Sequence, residues 1–218
     1  LKLDVSRYIY LGNNALEQLN VIETTHNLSL IKLINNTSTA MGKRLLKERL
    51  THPVKDSKEI LRRLALSKEL YDYHAPIENE LASIYDIERL TRRIKLNRLH
   101  PFELNYLYDS LLSIKEVVTF MENYKFITPP CSSTDLTLFI QSIDSTFDLS
   151  ISGKYMLKDV EVNMISEGIN TQIDELNVQN EILYSKLELL RNHILSYVKS
   201  DDVNYVGINR LDKEGFFL

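Results

Sequence analysis

The fold is decided by residues 169–198, which read INTQIDELNVQNEILYSKLELLRNHILSYV. Apolar side chains recur there in alternating steps of four and three, and only Asn180 interrupts them: Ile169, Ile173, Leu176, Leu183, Leu187, Leu190, Ile194 and Tyr197. This heptad seam is typical of a helix that packs along a second helix. We therefore predict a helix over 170–198, about 43 Å long at 1.5 Å per residue, whose Leu187 faces a second helix together with Leu183 and Leu190.

A short β-like stretch over 204–210 follows the long helix. The turn residues 212–215 come next, and then the apolar Phe216, Phe217 and Leu218. Strand, polar turn and strand in this order predict a β-hairpin. We expect its second strand to be cut by the end of the chain.

The segment before the long helix predicts a helical core over 1–165, and the long helix with its hairpin predicts a second region over 166–218. Helices are expected at about 39–50, 60–73, 76–84, 86–98 and 134–146, with one more beginning at Pro101. Thr37, Ser38 or Thr39 can cap the first of these. Asp56 and Glu59 stand three apart, the spacing of a capping box. The predicted fold class is mainly α.

Composition restricts the function further. The 26 basic and 30 acidic residues give a formal net charge of -4, so any contact with nucleic acid must be local. The single Cys131 cannot form an internal disulfide. No apolar run reaches the roughly 18 residues of a membrane span, and the opening residues lack a signal peptide. We expect an intracellular protein, and the Leu at position 1 suggests a piece of a longer one.

Motifs for catalysis and for cofactor binding are absent from the sequence. A P-loop needs two glycines separated by four residues and followed by Lys and Ser or Thr, whereas Gly42-Lys43 is followed by Arg44 and preceded by Thr37 at the first glycine position. The five histidines never fall three to five residues apart, so no helix presents a two-histidine metal site. We predict no catalytic, cofactor-binding or metal-binding residue in this chain.

Two groups of basic residues could bind phosphates. One lies over 43–49 and the other over 89–98; their members are Lys43, Arg44, Lys47 and Arg49, and Arg89, Arg92, Arg93, Lys95 and Arg98. A simpler interpretation is that both are solvated helix faces paired with Glu48, Asp86 and Glu88. Aromatic residues do not interleave with either group, which argues against a platform for stacking single-stranded bases.

Four ordered blocks resemble a known family. They are the run Thr39-Ala40-Met41-Gly42-Lys43-Arg44-Leu45-Leu46, the pair Arg63-Leu64, the run Asp86-Ile87-Glu88-Arg89-Leu90, and His100-Pro101-Phe102-Glu103-Leu104. In order and spacing they resemble the core, or lever, domain of the MutS DNA mismatch repair family. Residues 173–176 are similar to the start of that family's clamp, and 206–209 with 215–218 resemble the clamp's strand pair. The likeness is weakest between about 125 and 165.

The resemblance implies a lever and clamp from a dimeric ATPase that encircles double-stranded DNA. In such proteins the lever is thought to carry the nucleotide state to the clamps, which contact the DNA backbone without reading sequence. The fragment itself would not be an enzyme, whereas the full-length protein would bind ATP and magnesium and form a homo- or heterodimer. It would act in the cytoplasm of a prokaryote, or in the nucleus or mitochondrion of a eukaryote. Family branches that act on recombination junctions or stalled ribosomes remain open.

At the hairpin tip the candidates for DNA-backbone contact are Lys199, Arg210 and Lys213. Tyr205 stands where the family usually carries a lysine, and four acidic residues over 199–214 outnumber these three cations. Phosphate contact at the tip is therefore expected to be weak. The alternative function is an all-α coiled-coil scaffold that binds another protein through the heptad seam and does not bind nucleic acid. The third class of function, an enzyme, is supported by no motif in the sequence.

Overall fold

The structure is a computed structural model that describes residues 7–12, 14–22, 28–124, 128–158, 160, 162–198, 206–211 and 215–217. The chain forms two compact units, Leu1–Met164 and Ile165–Leu218. The prediction of a mainly helical fold is confirmed. The described helices, in chain order, are α1 (Ala15–Gln18), α2 (Leu30–Ile34), α3 (Ala40–Thr51), α4 (Ser57–Leu70), α5 (His74–Ala82), α6 (Ile87–Lys95), α7 (Pro101–Tyr124), α8 (Ser133–Thr146), α9 (Leu149–Ser152) and α10 (Thr171–Val198). A 3₁₀ turn over Tyr71–Tyr73 joins α4 to α5.

The core of the larger unit lies on one side of α7. A cluster of buried apolar side chains from three helices forms its centre, and its members are Leu90 of α6, Leu107 and Leu111 of α7, and Ile140 and Ile143 of α8. Burying each such side chain contributes about 1.5–3 kcal/mol relative to exposure. Helix α7 contacts α5, α6, α8 and α9, so its position sets theirs.

Buried polar contacts fix these helices at defined positions along α7. Ser110 is fully buried, and its Oγ accepts a hydrogen bond from the Tyr85 amide at 3.0 Å while it donates to the Tyr106 carbonyl at 2.6 Å. Asn105 donates from Nδ2 to the Leu149 carbonyl at 2.8 Å. Because an unsatisfied buried polar group costs about 1–3 kcal/mol, these bonds select one arrangement of the segments that precede α6 and form α9.

The smaller unit consists of α10 and a two-stranded antiparallel hairpin. Strand β1 (Asn209–Leu211) pairs with β2 (Gly215–Phe217), with Arg210 opposite Phe216. The predicted long helix and hairpin are therefore both present. Two contacts join the hairpin to the helix: Arg191 donates from Nε to the Val206 carbonyl at 2.8 Å, and the Phe216 ring meets the Tyr184 ring edge-on at 6.0 Å.

The seam of α10 differs from its prediction. Within the described part of the smaller unit no second helix covers it, and Leu183 and Leu190 remain 58% and 48% exposed. Leu187 is half-buried, and it lines an apolar cleft of about 370 Å³ together with these two leucines and Phe216. The expectation that Leu187 faces a second helix is not met by the described residues of this unit. A heptad repeat shows which face of a helix is apolar but does not identify the helix that covers this face.

Two local predictions also need correction. The helix expected over 86–98 ends at Lys95, because Leu96 closes it and Asn97 takes a left-handed φ of 52°. Asp56 caps α4, but the capping box predicted with Glu59 is not formed. Asp56 accepts a hydrogen bond from the Lys58 amide, whereas the Glu59 carboxylate accepts from Arg62 and Arg63.

Replacing Leu111 with Ala should lower the free energy of unfolding by about 2–5 kcal/mol, because a buried leucine is lost and a cavity remains. The matched control is Leu112→Ala. Leu112 is 40% exposed and Leu111 is 7% exposed, so the control should cost less than half as much. Urea denaturation followed by circular dichroism measures both values. Equal losses would show that the core does not lie on the Leu111 side of α7.

Candidate functional site

The start of α3 explains the Thr-Ala-Met-Gly run in physical terms. Thr39 is the N-cap of α3, and its Oγ1 accepts a hydrogen bond from the Gly42 amide at 2.9 Å. A Cβ at position 42 would lie 2.9 Å from that same Oγ1, so the cap needs glycine at this position. Ala40 is exposed in the first turn and Met41 is half-buried. The motif therefore builds a helix start that brings Arg44 into the next turn.

Arg44 joins α3 to the beginning of α6. Its guanidinium donates from Nη1 and Nη2 to both carboxylate oxygens of Asp86, at 2.7 and 2.8 Å, and from Nε and Nη2 to Glu88 Oε2, at 3.0 and 2.6 Å. Asp86 is also the N-cap of α6, where it accepts a hydrogen bond from the Arg89 amide at 3.1 Å. One carboxylate thus caps a helix and receives an arginine from a distant helix. We call Arg44, Asp86 and Glu88 the charge junction.

The charge junction shifts the pKa values of two of its residues, Asp86 and Arg44. The side-chain hydrogen bonds from Arg44 hold the pKa of the Asp86 carboxyl below its ordinary value, and the Arg89 amide adds to this effect. The contacts with Asp86 and Glu88 raise the pKa of the Arg44 guanidinium. The Arg44 side chain remains 49% exposed. Because an exposed ion pair contributes little energy, the junction chiefly determines how α3 and α6 are oriented.

Arg63, the next family residue, lies in a different cluster. Glu59 accepts hydrogen bonds from Arg62 and from Arg63, both in the same helix α4. These bonds lower the pKa of Glu59 to about 2. Since all three residues belong to α4, this cluster stabilises one helix and links no two elements.

The basic group on α6 is only partly neutralised. Arg93 forms an ion pair with Glu103, a buried carboxylate at the start of α7 that also accepts the His100 amide at 3.0 Å. The other members, Arg89, Arg92, Lys95 and Arg98, are exposed and form no ion pair with any carboxylate among the described residues. All four are exposed, as expected for a solvated helix face, whereas the expected ion pairs with Asp86 and Glu88 are formed by Arg44 and not by these four residues.

A cleft beside α6 contains residues that the sequence pattern does not identify. It has a volume of about 460 Å³ and is lined by aromatic and charged side chains of α6, of α7 and of the residues next to them; these include Tyr85, Asp86, Arg89, Arg93, His100, Phe102, Glu103, Tyr106 and Met156. The signal for the aromatic wall was the four-residue spacing of Phe102 and Tyr106 on one helix. Tyr85 joins them only through the folding of the chain, so the sequence argument against aromatic rings beside the basic residues does not hold at this cleft.

The three DNA-backbone candidates are placed unequally. Lys199 and Lys213 lie outside the described residues. The backbone of Arg210 lies in the middle of β1, paired with Phe216. No group of three or more His, Cys, Asp and Glu side chains that could hold a metal ion occurs in the described part of the chain. None of the described helices combines the length and the apolar character needed to cross a bilayer.

Together these features define a mainly helical protein with two units. In the larger unit, the charge junction connects α3 to α6. The smaller unit consists of a long helix with a heptad repeat and an antiparallel hairpin. Residues 14–204 match the protein-family model of MutS domain III. The chain belongs to the MutS family.

Similar proteins carry mismatch repair names. The chain is 30% identical over 193 residues to a DNA mismatch repair protein MutS of Fervidobacterium nodosum, with 87% of the chain and 23% of the relative covered. It is 34% identical over 128 residues to a DNA mismatch repair protein MutS of Thermosipho melanesiensis, with 56% of the chain and 16% of the relative covered. It is 28% identical over 234 residues to a putative DNA mismatch repair protein mutS homolog of Acanthamoeba polyphaga mimivirus, with 97% of the chain and 21% of the relative covered. The chain spans about a fifth of the length of these relatives.

Arg44→Gln should raise the pKa of the Asp86 carboxyl toward its ordinary value of about 4, because its two hydrogen bonds from the guanidinium are lost. Since the pKa of Asp86 is lowered in the folded state, its contribution to stability is present above about pH 4 and is lost as the pH falls through the folded value. The variant should show a weaker dependence, because the hydrogen bond from the Arg89 amide remains. NMR titration of the side-chain carboxyl carbons measures the pKa.

The matched control is Arg62→Gln, which should raise the pKa of Glu59 from about 2 and leave Asp86 unchanged. If the pKa of Asp86 is the same in the Arg44→Gln variant as in the unaltered chain, that result would contradict the charge junction.

Proposed function

We propose that this chain is the lever and clamp region of a DNA mismatch repair protein. Residues 1–165 would be the helical core, or lever, domain, and 166–218 the lever helix with its clamp. The observation that carries the proposal is the match of residues 14–204 to MutS domain III. The names of the similar proteins agree with it.

The proposed role is mechanical rather than catalytic. In the full-length protein, an ATPase domain outside this chain would bind ATP and magnesium, and the lever would couple that domain to the regions that hold DNA. Transmission needs elements that keep their shape. The charge junction joins α3 to α6, the buried bonds of Ser110 and Asn105 join α7 to its neighbours, and α10 is continuous over Thr171–Val198. These contacts support the proposal because they tie separate segments to common helices.

The proposed DNA contact lies at the hairpin and uses Lys199, Arg210 and Lys213 on the phosphate backbone. Backbone contacts position a protein on a duplex but carry no sequence information. Two copies, as a homo- or heterodimer, would encircle double-stranded DNA in the full-length protein. The hairpin's fixation to α10 through Arg191 and Phe216 supports a role in which the helix holds the tip in place.

A protein-interaction scaffold is the second candidate function. The observation that favours it is the exposed seam of α10, where Leu176, Leu183 and Leu190 are 63%, 58% and 48% exposed. An apolar stripe of this kind is usually covered by another helix. This candidate predicts binding to a protein and no measurable affinity for DNA.

Duplex binding separates the two candidates. If Lys199, Arg210 and Lys213 make the whole contact, the logarithm of affinity should fall against the logarithm of salt concentration with a slope of about -3 or shallower. Matched and mismatched duplexes should bind alike, since a tip on the backbone has no access to base edges. Lys213→Gln should flatten the slope by about one. Fluorescence anisotropy at several salt concentrations provides the measurement.

The control is Lys58→Gln, which removes an exposed lysine of α4 and should change neither the duplex affinity nor the salt slope. A slope much steeper than -3, or a preference for the mismatch, would place the duplex contact elsewhere. A complete lack of duplex binding at low salt would favour the scaffold.

A further inference from the structure

Helix α6 presents a row of exposed cations that form no ion pair with a carboxylate among the described residues, although the charge of Arg89 helps to lower the pKa of Asp86. Arg89, Arg92 and Lys95 follow one another at intervals of three residues, so they advance around the helix over about 9 Å of its axis. Residues 87–98 contain five basic residues and one acidic residue, in a chain whose net charge is -4. Such a local concentration of charge attracts an anionic ligand with several regularly spaced charges. We call Arg89, Arg92 and Lys95 the cationic row.

The aromatic cleft opens beside this row. Tyr85 and Tyr106 stack with ring centroids 4.3 Å apart and 13° between planes, and Phe102 meets Tyr106 edge-on at 5.6 Å. Tyr85 nevertheless remains 45% exposed and Tyr106 38% exposed. Arg89 lines the same cleft. Exposed aromatic rings next to cations provide the combination that holds planar, negatively charged ligands.

The acidic side chains of the cleft do not cancel its positive character. Asp86 is held by Arg44 through two hydrogen bonds, and Glu103 is held by Arg93 and by the His100 amide. The Nδ1 atom of His100 accepts the Leu157 amide at 3.1 Å. The other ring nitrogen therefore carries the proton and can donate. The groups left to meet a ligand are hydrogen-bond donors, cations and aromatic rings.

We propose that this face binds single-stranded nucleic acid, separately from the contact proposed for the hairpin. The cationic row would follow the phosphates, and a base would enter the cleft to stack with the Tyr85–Tyr106 pair. A duplex does not fit this chemistry because its bases are already stacked inside. An acidic peptide would satisfy the cations but would leave the aromatic wall without a stacking partner.

The test is binding of a fluorescent oligothymidylate to the whole chain, measured by anisotropy at several salt concentrations. Each phosphate contact on a single strand contributes about 0.7 to the salt slope. The double variant Arg89→Gln/Lys95→Gln should therefore weaken binding and flatten the slope by about 1.4. Tyr85→Leu should weaken binding at least about fivefold by loss of stacking and should leave the slope unchanged. A loss of affinity with a flatter salt slope indicates a lost phosphate contact, whereas a loss of affinity with an unchanged slope indicates lost base stacking.

Two controls complete the test. Lys58→Gln and Lys68→Gln each remove an exposed lysine of α4, and both should leave oligothymidylate binding within twofold. The hairpin variant Lys213→Gln is measured on the blunt duplex and Tyr85→Leu on oligothymidylate, so failure of the hairpin contact is separated from failure of this one. Circular dichroism melting shows whether each variant is folded.

Three results would overturn the proposal. The first is oligothymidylate binding that folded α6 and Tyr85 variants leave unchanged. The second is equal affinity for a blunt duplex, with no effect of Tyr85→Leu, which would indicate a backbone contact alone. The third is tighter binding of a polyglutamate peptide that is insensitive to Tyr85→Leu, which would indicate an acidic protein partner.

Discussion

Within the first three turns of α7, three polar side chains each bind a different part of the chain. Glu103 forms an ion pair with Arg93 of α6. Asn105 donates a hydrogen bond to the Leu149 carbonyl, and Ser110 accepts one from the Tyr85 amide. The apolar side chains Leu107 and Leu111 supply the burial on the same helix. Burial alone would tolerate small rotations of the neighbouring helices, whereas buried polar groups must meet their partners. Helix α7 therefore determines both the stability and the geometry of the larger unit.

The charge junction extends this geometry to α3. Asp86 caps α6, which places Leu90 in the core, and Arg44 attaches α3 to that same carboxylate. A movement of α3 would therefore reach α6 through a charged contact and α7 through the core. The proposed lever role of the larger unit rests on this continuity.

The sequence predicted the elements better than it predicted the contacts between them. The heptad spacing located α10 to within a residue of its observed start, because amphipathic periodicity is a local property. The end of α6 was missed by three residues, since Asn97 takes a left-handed conformation without a glycine or proline to announce it. The stacked pair of Tyr85 and Tyr106 could not be predicted either, because it is created by the packing that joins Ser110 to Tyr85. The three tip cations, Lys199, Arg210 and Lys213, all remain predictions as contacts to DNA.

The central claim is that the hairpin of the smaller unit touches the duplex backbone while the larger unit holds its shape. Hydrogen–deuterium exchange of the whole chain, with and without a saturating blunt duplex, tests it most directly. Slower exchange over 206–217 with unchanged exchange over α3 and α7 is the predicted result. Bound duplex that leaves 206–217 unchanged and protects α3 or α7 instead would contradict it.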